Sequence, residues 1–205
     1  GLYAKEDIVS SSGTVIPADG LIEIITLDEN GTAIANTDLP FGSYYIKEIA
    51  TDEHYILSDI QYPFTFEYAG QDTETVEIKV NDSKPIENKL IYGSVSGKKI
   101  DENGEALGGA LIGIFKADET EFTKEHAIMT ATSEKDGSFS FAKVPYGQWI
   151  VREIEAPTGF VLDDTSYEVN ISKNEQVIEV EIANEYVHGN IQLTKVESVS
   201  YTHLT

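Results

Sequence analysis

One pattern occurs twice in this chain and limits what it can become. In Gly147-Gln-Trp-Ile-Val-Arg-Glu153 an aromatic, an aliphatic and a glutamate stand at alternate positions, as Trp149, Val151 and Glu153. Gly42-Ser-Tyr-Tyr-Ile-Lys-Glu48 repeats it with Tyr44, Ile46 and Glu48. Residues two apart on a β-strand share a face, so each glutamate points the same way as the apolar side chains before it. A carboxylate on a buried face is costly unless something pairs with it or uses it. Other residues must account for that acid.

Self-comparison extends the pair into repeats. Ile86-Glu-Asn88-Lys-Leu-Ile-Tyr-Gly93 matches Ile182-Ala-Asn184-Glu-Tyr-Val-His-Gly189 at an offset of 184 − 88 = 96. Lys99 and Lys195 share that offset, while Leu39-Pro-Phe-Gly42 and Glu48 match Val144-Pro-Tyr-Gly147 and Glu153 at 153 − 48 = 105. The difference of nine residues is expected in a longer hairpin near Tyr68–Asp72. Gly1-Leu-Tyr3 aligns with Gly113-Ile-Phe115, so the first repeat is expected to lack its N-terminal strand. The expected organisation is a first repeat over 1–92, a complete repeat over 93–188 and the start of a third over 189–197. Residues 198–205 fit none of the pattern; Val199–Thr205 looks like a translated sequencing adaptor and is set apart from fold reasoning.

Between the turn signals Asp101-Glu-Asn-Gly104, Asp136-Gly137 and Pro157-Thr-Gly159 lie short alternating segments. They fall at 93–99, 109–116, 126–132, 138–144, 147–155, 166–172 and 176–184. Seven short strands without a strong helical period predict an all-β fold of tandem antiparallel β-sandwich repeats. A single helical turn is expected within Glu119–His126.

Phase then selects three polar residues. Val95, Gly97 and Lys99 share one strand face, and Ile178, Val180, Ile182 and Asn184 share another. With Glu153, a lysine, a glutamate and an asparagine aim inward from three strands. Singly, a lysine near a strand end snorkels, a glutamate there is half exposed and an asparagine caps a turn. Agreement of phase across copies argues against that. Burial lowers a lysine's pKa and raises a glutamate's, by as much as ~3–5 pH units. A neutral Lys99 amine could then attack the Asn184 side-chain carbonyl, with protonated Glu153 bonded to that carbonyl and shuttling the proton that releases ammonia. The product is an isopeptide bond, formed once and without turnover, so the chain is not expected to be an enzyme in the usual sense.

These residues carry a resemblance. Gly93-x-Val-x-x-x-Lys99-x-Asp101, Leu107-Gly-Gly-Ala-Leu-Ile-Gly-Ile-Phe115, Trp149-x-Val-x-Glu153-x-x-Ala-Pro-x-Gly-Phe160 and Asn184 together resemble the SpaA-like or Cna B-type prealbumin-like domain of Gram-positive pilins and surface adhesins. The resemblance covers residues 1–197. It implies a prealbumin-like, Ig-like sandwich whose first and last strands are joined by a self-generated Lys99–Asn184 bond promoted by Glu153. It also implies a structural stalk or pilin-like module, extracellular and associated with the cell wall through an anchor outside these residues. Its partners would be neighbouring repeats of the same polypeptide. Glu48 and Asn88 match the motif in the first repeat without a lysine, and Lys195 is the lysine of the third. Gly97 stands where an apolar residue is usual and is expected to loosen the first strand. Two other readings share the fold: an adhesin module binding a host matrix protein or glycan, and an accessory domain of a secreted enzyme.

Composition excludes some partners. The 205 residues carry 36 acidic against 14 basic side chains, a net charge of −22. Nucleic acid and anionic membrane surfaces are poor partners for such a chain. No apolar run reaches membrane-spanning length. There is no cysteine, so disulfides and thiolate metal sites are absent. Asp101–Gly104 and Asp28–Gly31 lack the spacing of calcium loops and read as hairpin turns. His54, His126, His188 and His203 have no ligand spacing, so no metal and no cofactor is called for. Phe64, Phe66 and Tyr68 share a face and are expected in the core.

Overall fold

The structure, a computed structural model, describes residues 1–10 and 12–196. The adaptor-like stretch 198–205 and the last residue of the 189–197 segment lie outside the described residues. The chain divides into two compact units, Gly1–Tyr92 and the residues from Gly93 onward.

The second unit holds the complete pattern, but the strands are numbered from the start of the chain. The first unit contains β1 (Leu2–Ala4), β2 (Ile8–Val9), β3 (Val15–Ile16), β4 (Leu21–Glu23), β5 (Gly42–Lys47), β6 (Tyr55–Ile56), β7 (Gln61–Phe66) and β8 (Lys89–Leu90). One antiparallel sheet runs β4-β1-β5-β7, and β2–β3 and β6–β8 form separate pairs. Its core is small: Leu2, Ala4, Ile8 and Tyr44 are buried, with Ile46, Phe64 and Phe66 packed against them. Tyr68 lies two residues beyond the end of β7 and is exposed, so the expected three-aromatic face loses its last member where the pleat stops.

The second unit contains β9 (Tyr92–Asp101), β10 (Leu111–Lys116), β11 (Met129–Thr132), β12 (Ser138–Pro145), β13 (Gly147–Glu155), β14 (Tyr167–Ile171) and β15 (Val177–Asn184). All seven expected strands form. A four-stranded sheet runs β11-β10-β13-β14 and a three-stranded one runs β12-β9-β15. Apolar side chains alternate inward from both, among them Val95, Ile112, Ile114, Phe139, Val151, Ile171 and Ile182. One pair departs from antiparallel order: β9 and β15 run parallel, from Val177↔Ser94 to Asn184↔Asp101. Parallel neighbours need a long crossover, and here everything between the two strands supplies it. Thr123 closes a single turn by accepting from the His126 and Ala127 N–H groups at 3.2 and 3.1 Å, and no helix follows.

Gly97 does not loosen β9. A Cβ there would lie 2.2 Å from Phe139 Cζ and 2.4 Å from the Val180 carbonyl oxygen, so the Phe139 ring already occupies the space.

Each unit has its own version of one sheet, and the units differ in the other. Leu2↔Ile46 and Tyr3↔Tyr45 repeat the register of Ile114↔Val151 and Phe115↔Ile150. Subtracting the repeat offsets, β12 corresponds to 33–40 (138 − 105 and 145 − 105) and β15 to 81–88 (177 − 96 and 184 − 96), and neither stretch is a strand. In the second unit β9 is the middle strand that gives both of these their backbone partners. Without a middle strand, neither neighbour can satisfy its N–H and C=O groups in a ladder.

Candidate functional site

The candidate site lies inside the second unit, where three strands converge. Lys99 is the inward residue of β9 two places beyond Gly97, and its side chain is 0% exposed. The parallel register puts Ile182 beside Lys99 and Asn184 beside Asp101, so Asn184 stands one inward step past the lysine. Glu153 comes from β13 at a bulge: Ile112 pairs with Glu153 and Leu111 with Glu155, leaving Ile154 as the extra residue. A bulge bends its strand and re-aims the neighbouring side chain. Glu153 and Asn184 are 1% and 2% exposed.

Thus all three residues singled out by phase meet. Lys99 Nζ donates to the Ile182 carbonyl at 3.1 Å and lies 3.7 Å from Glu153 Oε1. Asn184 Nδ2 donates to Glu153 Oε2 at 2.7 Å and to the Val161 carbonyl at 2.6 Å. The expected bond from Glu153 to the asparagine carbonyl is not formed; the carboxylate holds the amide nitrogen instead. Asn184 Oδ1 and Glu153 Oε1 are buried without a hydrogen-bond partner. A buried acceptor without a hydrogen bond is expensive; the cost at Glu153 Oε1 is offset in part by the Lys99 amine 3.7 Å away, while Asn184 Oδ1 has no hydrogen-bond donor.

Sequence reasoning missed the support of this site. The Asp163 N–H donates to Glu153 Oε2 at 2.8 Å, and the Asp163 carboxylate accepts from Thr165 N–H at 3.0 Å and Tyr167 Oη–H at 2.9 Å. At the repeat offset Asp163 becomes Ser58, whose N–H makes the same bond to Glu48 Oε2 at 2.9 Å. A backbone donor is indifferent to residue type, so composition held no signal for it.

Burial lowers the Lys99 pKa below the ordinary lysine value, against the opposing pull of the Glu153 and Asp163 charges. Burial pushes Asp163 up, but hydrogen bonds from Thr165 and Tyr167 and the Lys99 charge outweigh it and hold the carboxyl below its usual value. Tyr167 is pushed up to about 12, by burial first and then by its bond to Asp163.

In the first unit the equivalent pair also meets, without a lysine. Asn88 Nδ2 donates to Glu48 Oε1 at 2.6 Å and to Thr51 Oγ1 at 2.8 Å, and Asn88 Oδ1 is buried with no partner. Lys195 lies in the described segment 189–196, which forms no strand.

The aspartate-rich turns hold themselves. Asp101 Oδ1 accepts from the Asn103 and Glu105 N–H groups, each at 2.9 Å. Asp28 accepts from the Asn30 and Thr32 N–H groups, also at 2.9 Å. Among the described residues no cluster of His, Asp or Glu gathers for a metal ion, and no helix is long and apolar enough to cross a membrane.

The second unit is thus a β-sandwich in which a lysine, a glutamate and an asparagine from three different strands meet in the interior. Comparison with known families supplies its name: the model of the SpaA prealbumin-like fold domain matches residues 4–84 and 93–186, and the chain belongs to that family, which builds Gram-positive pilins and surface adhesins. Among solved structures, the Bacillus anthracis TIE protein matches with a TM-score of 0.62 and 22% identity over 90% of this chain and 31% of its own. This chain therefore spans about a third of that protein's length. GBS52, the minor pilin of Streptococcus agalactiae, matches with a TM-score of 0.43 and 18% identity over 83% of this chain and 71% of its own. BcpA, the major pilin subunit of Bacillus cereus, matches with a TM-score of 0.42 and 13% identity over 88% of this chain and 94% of its own. No curated protein matches.

Proposed function

We propose that this chain is a structural stalk or pilin-like module of a Gram-positive cell surface, and that its second unit is closed by an amide bond between Lys99 and Asn184. The observation that carries the reading is the burial of an amine, a carboxyl group and a carboxamide in one cluster, with the amide nitrogen already held by the carboxylate.

The chemistry balances without a cofactor. The lowered Lys99 pKa favours the neutral amine, and Glu153 Oε1 is the nearest carboxylate oxygen to receive its proton. Nζ attacks Asn184 Cγ and a C–N bond forms. One proton of Nζ passes through Glu153 to Nδ2, the Cγ–Nδ2 bond breaks and ammonia leaves. The Nδ2 atom that must depart is the one bonded to Glu153 Oε2 and the Val161 carbonyl. Asp163 N–H keeps the carboxylate in that position. Its neighbours along a surface fibre would be other repeats of the same polypeptide, with attachment to the wall supplied elsewhere in the protein.

Intact mass spectrometry of the purified chain tests this directly. The wild type should be lighter than its sequence mass by one ammonia, and Glu153→Ala should restore the full mass. Full mass in both would reduce the three residues to a buried polar cluster and end the crosslink reading.

A further inference from the structure

Asn184 is held through its amide nitrogen, which donates to Glu153 and to the Val161 carbonyl, while its oxygen faces no donor. Two acceptors therefore set the direction of the amide. Val161 acts through its backbone, so its place depends on what holds the stretch that carries it.

One side chain joins the neighbours of all these groups. Tyr186 follows Asn184 by two residues and forms an antiparallel bridge with Phe160. The bridge is flanked by Val161 N–H donating to the Glu185 carbonyl at 2.8 Å and Val187 N–H donating to the Gly159 carbonyl at 2.9 Å. The Phe160 and Tyr186 rings lie 4.6 Å apart. This short ladder carries the Val161 carbonyl to the Asn184 amide.

The Tyr186 hydroxyl reaches the other way and donates to Asp101 Oδ2 at 2.5 Å. Asp101 is the next inward residue of β9 after Lys99 and is 6% exposed. It is also the register partner of Asn184, in the last pair of the β9–β15 ladder. Strand ends are where ladders open first, and Lys99 and Asn184 both lie at this end. The hydroxyl closes the two strands one step beyond their last pair. Its acceptor is a carboxylate, which makes the bond stronger than a neutral one. The other oxygen of that carboxylate is already fixed by the Asn103 and Glu105 N–H groups.

The ladder forms without this tie. In the first unit Tyr55 and Leu90 stand where Phe160 and Tyr186 do (160 − 105 and 186 − 96), and they pair in the same antiparallel way. Leu90 has no hydroxyl to give, and there the asparagine amide is directed by a side chain, Thr51 Oγ1, at 2.8 Å.

We infer that Tyr186 is a positioning residue for the amide bond proposed above. Its hydroxyl holds the Lys99 and Asn184 ends of β9 and β15 together, and its ring holds the Val161 carbonyl on the asparagine amide. The inference rests on the crosslink reading of this site. Tyr186 gives no atom to the reaction. Its loss leaves the three reacting side chains in place but less often aligned, so the bond forms slowly.

The test is the intact mass of the full chain from cultures sampled at intervals after induction, which reads the fraction of molecules one ammonia light. The wild type should be entirely light at the first sample. Tyr186→Phe keeps the ring and loses the Asp101 bond, and should convert about tenfold more slowly. Tyr186→Ala should convert about a hundredfold more slowly, with both masses present and the light one growing; Tyr186→Phe decides if Tyr186→Ala fails to fold. Ile171→Val is the control for stability, because Ile171 packs beside Gly93 at the opposite end of β9 from Lys99. It should convert as the wild type does. Urea midpoints of these variants in a Glu153→Ala background measure what each substitution costs the fold. Tyr186→Phe as fully light as the wild type at the first sample overturns this inference and leaves the crosslink standing. Conversion slowed equally by Ile171→Val, at an equal loss of urea midpoint, makes Tyr186 a matter of stability and overturns it too. A wild type of full mass ends the crosslink reading and this inference with it.

Discussion

At the scale of the residue, Lys99 is the group whose protonation matters most. The proposed amide would consume the amine, so the titration of Lys99 is to be read where that bond cannot form, as in Asn184→Ala. In that variant the folded state releases the Lys99 proton at lower pH than the unfolded chain does. Between the lowered value and the ordinary ~10.4 the unfolded state binds more protons, so stability rises with pH. Urea midpoints measured across a pH series should climb through that window in Asn184→Ala and, under the proposed crosslink, lack this rise in the wild type. Asp163 acts at the acid end: its lowered pKa adds stability that is present above the ordinary carboxylate value and lost as the pH falls through the folded one. Tyr167, raised to about 12 from 10.0, adds stability that is lost as the pH rises through that range. Tyr167→Phe should therefore flatten the alkaline end of the series and leave the Lys99 window in place.

At the scale of the element, β9 shows how much of the site the sequence revealed. Period-two alternation identified Lys99, Glu153 and Asn184 because inward phase is a local property of each strand. The parallel pairing with β15, the bulge at Ile154 and the Asp163 backbone donor depend on which strands become neighbours, and no local pattern encodes that. Gly97 was misread for the same reason: its side-chain space is filled from β12, by Phe139. Gly97→Val should cost about 1–3 kcal/mol through overpacking. Urea unfolding in a Glu153→Ala background, where the proposed covalent tie could not form, is the measurement that shows it. Unchanged stability would mean that the Phe139 ring and the β15 backbone at Val180 both give way freely.

At the scale of the whole molecule, the two units form a comparison built into one chain. Backbone amides in 33–40 and 81–88 should exchange with deuterium much faster than those of their strand counterparts β12 and β15, since only the latter have a middle strand to bond. Closing the loop between Lys99 and Asn184, 184 − 99 = 85 residues, restricts the unfolded chain by about 4–5 kcal/mol if the chain-entropy relation for crosslinks holds here. Glu153→Ala should lose at least that much in urea unfolding of the second unit. The parallel β9–β15 pair has a mechanical consequence as well. Tension applied at the start of β9 and the end of β15 draws the two strands past each other along their length. Their hydrogen bonds then resist together in shear, where an antiparallel pair gripped at one end would unzip them singly. The proposed Lys99–Asn184 bond would carry the load across between these strands, and the fold between residues 99 and 184 would then bear none of it.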